Sequence, residues 1–120
     1  MKLLPLFLMC CALSAGAVER VSVCFNYGCL AQSEVEISDE RLAEIGRLLK
    51  VAGDAESERK AISTAVGRML AWAGEQSPIR ADRGGNYADE GVYGRMDCIA
   101  HSTTTTRLLR LIEAKGMLRF

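Results

Sequence analysis

Cys98 stands in the stretch "GRMDCIAHSTTTTRLLRLIEAKG", directly after Asp97 and close before His101, the single histidine of the chain. Asp97 is a good helix N-cap residue, which makes Cys98 the first helical position. Unpaired N–H groups and the dipole at a helix N-terminus favour a thiolate there, and the neighbouring Asp97 carboxylate opposes it. A glycine-rich loop just upstream would let a substrate approach. Cys98 is therefore a candidate nucleophile for attack on a carbonyl. The plainer reading, a small buried thiol, stands beside it. His101 falls on the adjoining helix face, where contact with Cys98 is geometrically open. It reads better as a partly exposed surface residue than as a catalytic base. One histidine and scattered cysteines lack the ligand spacing of a zinc site, so no metal is expected. Gly84-Gly85 lacks the preceding strand and fixed spacing of a phosphate loop, and Met69 and Trp72 form no cofactor box. No cofactor is expected.

The other cysteines depend on the leader. Residues 1–17 read as a signal peptide: Met1-Lys2 supplies positive charge, Leu3 to Leu13 is apolar but too short to span a bilayer, and Ala15-Gly16-Ala17 is a cleavage site. A lipid anchor on Cys10 or Cys11 fits less well, because Met9 or Cys10 stands where a small residue belongs. Pro5 argues against a buried N-terminal helix. Export to the periplasm or outside the cell follows, with no stable membrane insertion after cleavage. Cys24, Cys29 and Cys98 are left in an oxidising compartment, where one pair should bridge. Asn26, Tyr27 and Gly28 can turn the chain between Cys24 and Cys29, which makes that pair the leading disulfide. Cys24–Cys98 and Cys29–Cys98 stay open.

The elements that must position these residues are few. A chain of 120 residues, 49% hydrophobic and 25% charged with zero formal net charge, makes one small domain over residues 18–120. Nothing in it is basic enough to mark nucleic acid or an anionic membrane as the partner. Val21, Val23 and Phe25 alternate with Ser22 and Cys24, and Val35 and Ile37 alternate with glutamates: two extended pieces. Ser38 caps a helix with Leu42, Ile45, Leu48 and Leu49 as its stripe and Gly53 as its stop. Asp54 caps a second helix, Ala55 to about Ala73, whose stripe is ordinary core packing. Gly74 to Arg95 is glycine-rich and reads as a long connection, a kind that is usually functional or disordered. The last helix runs from Cys98 to about Lys115 with Gly116 as its stop, although Thr103 to Thr106 lower its propensity. A strand is the alternative there. The fold class is α+β and predominantly helical: three helices with short N-terminal extended segments.

The final helix resembles the nucleophile helix of transglutaminase-like, papain-type cysteine hydrolases. Cys98 opens it, Leu108-Leu109-Arg110 follows about three turns on, and Gly116 and then Arg119 come after. Most of the chain after the leader is similar to a family of exported proteobacterial proteins, in Asn26-Tyr27-Gly28-Cys29, Asp82-Arg83-Gly84-Gly85-Asn86 and Met96-Asp97-Cys98. The resemblance implies the helical half of a transglutaminase-like fold. It makes Cys98 the nucleophile toward an amide or peptide bond of an unknown peptide or protein. Two departures qualify it. Arg95 stands where that family has a glutamine, so an amide able to stabilise an oxyanion is missing. The superfamily's histidine and acid lie on strands after the helix, and the chain ends at Phe120. The expectation is a C-terminally truncated domain, inactive by itself. The alternative is a non-catalytic helical binding or interaction module.

Overall fold

The structure, a computed structural model, describes residues 16–120. The leader up to residue 15, with Cys10 and Cys11, lies outside the described residues. Strand β1 (Val18–Phe25) and strand β2 (Ala31–Ser38) form an antiparallel hairpin in register from Val18↔Ser38 to Phe25↔Ala31. The alternation works as read. Val21, Val23, Phe25, Val35 and Ile37 are buried on one face, and Arg20 pairs with Glu34 and Glu36 on the other, at 3.6 and 3.4 Å. Cys24 departs from the pattern: its alternation points outward, yet it is fully buried. The last helix closes over that edge of β1.

Helix α1 (Asp39–Lys50) starts where Ser38 Oγ accepts from the Arg41 amide at 3.2 Å. Acidic residues fill its first turn and Arg47 and Lys50 its last, matching the helix dipole. Helix α2 (Ala55–Gln76) opens on a capping box: Asp54 accepts from the Ser57 amide at 2.8 Å, and Ser57 Oγ accepts from the Asp54 amide at 3.2 Å. The expected end near Ala73 is too early. Gly74 is buried against Arg80, and the Gln76 side-chain amide clamps the backbone of Glu36. Its Nε2 donates to the Glu36 carbonyl and its Oε1 accepts from the Glu36 N–H, both at 2.8 Å. Long-range packing there outweighs the poor helix propensity of a glycine.

The connection is also less open than expected. A short 3₁₀ turn occupies Pro78–Ala81 and buries Ile79. Gly94 lies in the left-handed region (φ +97°), pressed so closely on the Pro78 carbonyl that no Cβ fits. Helix α3 (Cys98–Ala114) begins at the expected residue. It closes in a Schellman motif, with Met117 N–H donating to Ile112 O at 3.2 Å and Gly116 N–H to Glu113 O at 2.9 Å. The threonine run is explained by the partner element: α3 packs on β1. Thr104, fully buried, accepts the Cys24 N–H at 3.0 Å, and Arg107 donates to the Ser22 carbonyl at 2.9 Å. Side chains thus satisfy outward-facing backbone groups at both edges of the hairpin.

Three helices and a two-stranded antiparallel sheet make an α+β domain, mostly helical. Its core joins Phe25, Val35 and Ile37 of the hairpin to Ile45 and Leu49 of α1, Met69 of α2, and Leu108 and Ile112 of α3. The chain after α3 is tied down by Glu58, itself buried, which accepts from the Arg119 and Phe120 amides at 2.8 and 3.2 Å. Among the described residues no helix is long and apolar enough to cross a membrane.

Candidate thiol site

Cys98 is the first residue of α3, and its thiol is free and exposed. The buried-thiol reading is therefore set aside. Asp97 is the N-cap. Its Oδ1 accepts from the Ala100 amide and its Oδ2 from the Gly28 amide, each at 2.9 Å. One carboxylate therefore starts the helix and fastens the turn at the tip of the hairpin to it. The Ala100 amide first, and the Gly28 amide after it, hold this carboxyl below the usual range, with partial burial working against them.

That turn pairs Cys24 with Cys29 at disulfide distance, with Cα atoms 4.7 Å apart. Cys29 Sγ lies 4.0 Å from the Ile99 carbonyl, so the pair abuts the first turn of α3. Cys98 is the free cysteine, which sets aside the two alternative pairings. Asn26, Tyr27, Gly28 and Cys29 all have φ between 55° and 61°. Left-handed backbone costs about 1–2 kcal/mol per residue outside glycine. The turn keeps it because it is held from many sides. Gly94 N–H donates to Asn26 Oδ1 at 2.8 Å, and Asn26 N–H to the Arg95 carbonyl at 2.7 Å. The Arg95 guanidinium sits 4.7 Å over the Tyr27 ring.

The glycine-rich connection is anchored by two carboxylates. Asp89 is almost fully buried and accepts from Tyr27 Oη at 2.7 Å and from the Arg83 amide at 3.4 Å. The Tyr27 hydrogen bond, the largest influence, keeps Asp89 below the usual carboxylate range. Burial first, and then the bond to Asp89, pushes the Tyr27 hydroxyl up to about 12. Asp82 Oδ1 accepts from the Met96 amide at 3.0 Å, and its Oδ2 lies 2.8 Å from His101 Nε2. One carboxyl thus ties the Met96 amide and the His101 ring together. His101 is half-exposed, as expected of a surface residue, but it has a defined partner. Neither ring nitrogen is hydrogen-bonded to Cys98 among the described residues.

The structure thus gathers the segments around Asn26–Cys29, Asp82–Asn86 and Met96–Cys98 at one end of α3. The roles of Tyr27, Asp82, Asp89 and Asp97 Oδ2 in this gathering were not read from the sequence, because each bond joins residues far apart in the chain. Asp82, an acid at the head of a Gly-Gly turn, was the nearest thing to a signal. Arg95 Nε is buried without a hydrogen-bond partner among the described residues. Such a group costs about 1–3 kcal/mol. Comparison with family models, curated proteins and solved structures finds no match to the chain.

Proposed function

We propose that the protein is an exported thiol hydrolase-type domain built on the helical half of a transglutaminase-like fold. Cys98 Sγ would attack an amide or peptide carbonyl to give an acyl-enzyme, and the Cys98 backbone N–H would donate to the developing oxyanion. The observation that supports this best is the convergence of three separate segments on the start of α3, which fixes the surroundings of Cys98 and leaves its sulfur exposed. His101 acts in this reading as a positioning residue. Its Nε2 faces Asp82 and neither ring nitrogen is hydrogen-bonded to Cys98 among the described residues, so no base is in contact to take the thiol proton or deliver it to the leaving amine. The expectation is a reactive thiol with little or no amide turnover by the chain alone. Localisation in the periplasm or outside the cell belongs to the same proposal, with Val18 as the mature N-terminus by mass spectrometry.

Iodoacetamide tests the reading. Cys98 in the folded chain should be alkylated faster than in the urea-unfolded chain, and His101→Ala should leave that rate nearly unchanged. Alkylation no faster than in the unfolded chain would refute the nucleophile. A Cys98-dependent amidase activity abolished by His101→Ala would instead make His101 the base. The second reading, a non-catalytic interaction module, is favoured by the lack of a hydrogen bond between His101 and Cys98 among the described residues. Its partner would be a peptide or protein, without a cofactor.

A further inference from the structure

Downstream of Cys98, the exposed side of α3 carries hydroxyls and then arginines. Ser102 and Thr106 follow Cys98 at four-residue steps, so the three lie on one stripe of the helix. Two adjoining clefts flank that stripe. One, of about 330 Å³, is lined by Ser102, Thr103, Thr106, Arg107 and Arg110. The other, of about 280 Å³, lies between α3 and β1 and shares Arg107 and Arg110 with the first, adding Arg20.

The charges here are one-sided. Glu113 is the single acid of α3. Glu34 and Glu36, across the hairpin, are engaged by Arg20. Arg110 has no ion-pair partner among the described residues. Arg107 uses Nη1 to hold the hairpin through the Ser22 carbonyl and Gln32 Oε1, at 2.9 and 3.0 Å. Its Nε and Nη2 donors have no partner among the described residues. A guanidinium fixed at one nitrogen and open along its other edge is already oriented for bidentate contact with a carboxylate. Arg110, one turn further, can close on the same group.

We propose that Arg107 and Arg110 form a cradle for a carboxylate of an acidic peptide that runs along the hydroxyl stripe from Cys98. The inference rests on the reading of Cys98 as a thiol that attacks peptides, and it names the substrate class of that site. Helix rise puts the arginines about 14–18 Å from the first residue of α3. An extended peptide covers that span in about four or five residues. The preferred substrate therefore carries Asp or Glu four or five residues from the attacked carbonyl. The hydroxyls of Ser102, Thr103 and Thr106 offer both donors and acceptors to the intervening backbone.

Two measurements on the intact chain test this. In the first, chloroacetyl-Ala-Ala-Ala-Ala-Glu-amide and its Gln counterpart alkylate Cys98, and the readout is the ratio of their rates. The Glu peptide should be faster by about fivefold or more at low salt, with the advantage lost in 0.5 M NaCl and in Arg110→Gln. A ratio near one overturns the cradle. Slow labelling by both peptides and by iodoacetamide, with the ratio preserved, overturns only the nucleophile reading. In the second, Cys98→Ser is titrated by NMR with acetyl-Glu-Glu-Glu-amide, whose shifts should cluster in residues 102–110 and 20–22. Equal binding by the Gln analogue, or tighter binding of inorganic phosphate to the same residues, overturns the assignment to a peptide carboxylate.

Discussion

Thr104→Val isolates one hydrogen bond in the core. Valine matches threonine in shape, so packing is kept while the acceptor for the Cys24 N–H at 3.0 Å is lost. Both groups are fully buried, so water cannot replace the hydroxyl. An unsatisfied buried donor costs about 1–3 kcal/mol. The added methyl returns about 0.8 kcal/mol. The net loss is about 0.2–2 kcal/mol, which for a domain of this size lowers the melting temperature by about 1–15 °C. Thr104→Ser keeps the acceptor and removes a buried methyl, at about 1 kcal/mol. Stability alone would leave the two variants hard to tell apart. Hydrogen exchange at the Cys24 amide separates them: protection should persist in the serine variant and fall in the valine variant. A valine variant as stable as the parent, or with Cys24 equally protected, would refute the view that Thr104 is in the helix to serve the strand.

Asp97→Ala should cost about 2–3 kcal/mol in urea unfolding, from the lost helix cap and the lost charge-assisted bond to Gly28. Asp97→Asn should recover about half, because asparagine caps well but loses the second acceptor; equal losses in both variants would refute the double role. Asp89 is held below its ordinary range, so its contribution is full above pH about 4 and is lost as pH falls through its folded value. Tyr27 behaves in the opposite sense, with a contribution present below pH about 10 that is lost as pH rises toward 12. Tyr27→Phe should flatten the change in urea midpoint at both extremes, and an unchanged pH profile would count against the pair. Gly94→Ala should lower stability by about 2 kcal/mol or more, since left-handed backbone and the Pro78 carbonyl both oppose a side chain; a loss below about 0.5 kcal/mol would contradict that packing. Replacing Cys24 and Cys29 together by serine should cost about 2 kcal/mol, the modest loop-closure value of a short ring, and a loss near zero would argue that the pair is not bridged.

The helix starts were legible because each is a local event. Ser38, Asp54 and Asp97 cap through side chains that reach amides three residues on, and a sequence displays such spacing directly. The apolar faces of the hairpin and of α1 were legible for the same reason of period. What stayed hidden depends on distant partners. Gly74 reads as a helix end and is instead a contact point for Arg80, and Gln76 has meaning only beside Glu36. The threonines of α3 weaken a helix in isolation, and Thr104 becomes intelligible once Cys24 is beside it. The connection before α3 shows the limit most clearly. Its glycines advertise turns, whereas the bonds that fasten it, Tyr27 to Asp89 and His101 to Asp82, join residues that no periodicity links. The candidate thiol itself could be named from its place after an N-cap; the network that fixes its surroundings could not.

The plugged edges of the hairpin also bear on self-association. A lone pair of strands exposes a row of unpaired backbone groups on each side, an invitation to further strands from other copies and so to fibrils. Here one flank is occupied by Thr104 and Arg107, and the other is interrupted at Glu36 by Gln76, whose amide imitates a short length of neighbouring strand. Edge protection has been assigned to helix side chains rather than to extra sheet. A sequence change at Gln76 would therefore act less through the energy of the single copy than through how readily copies polymerise as concentration rises.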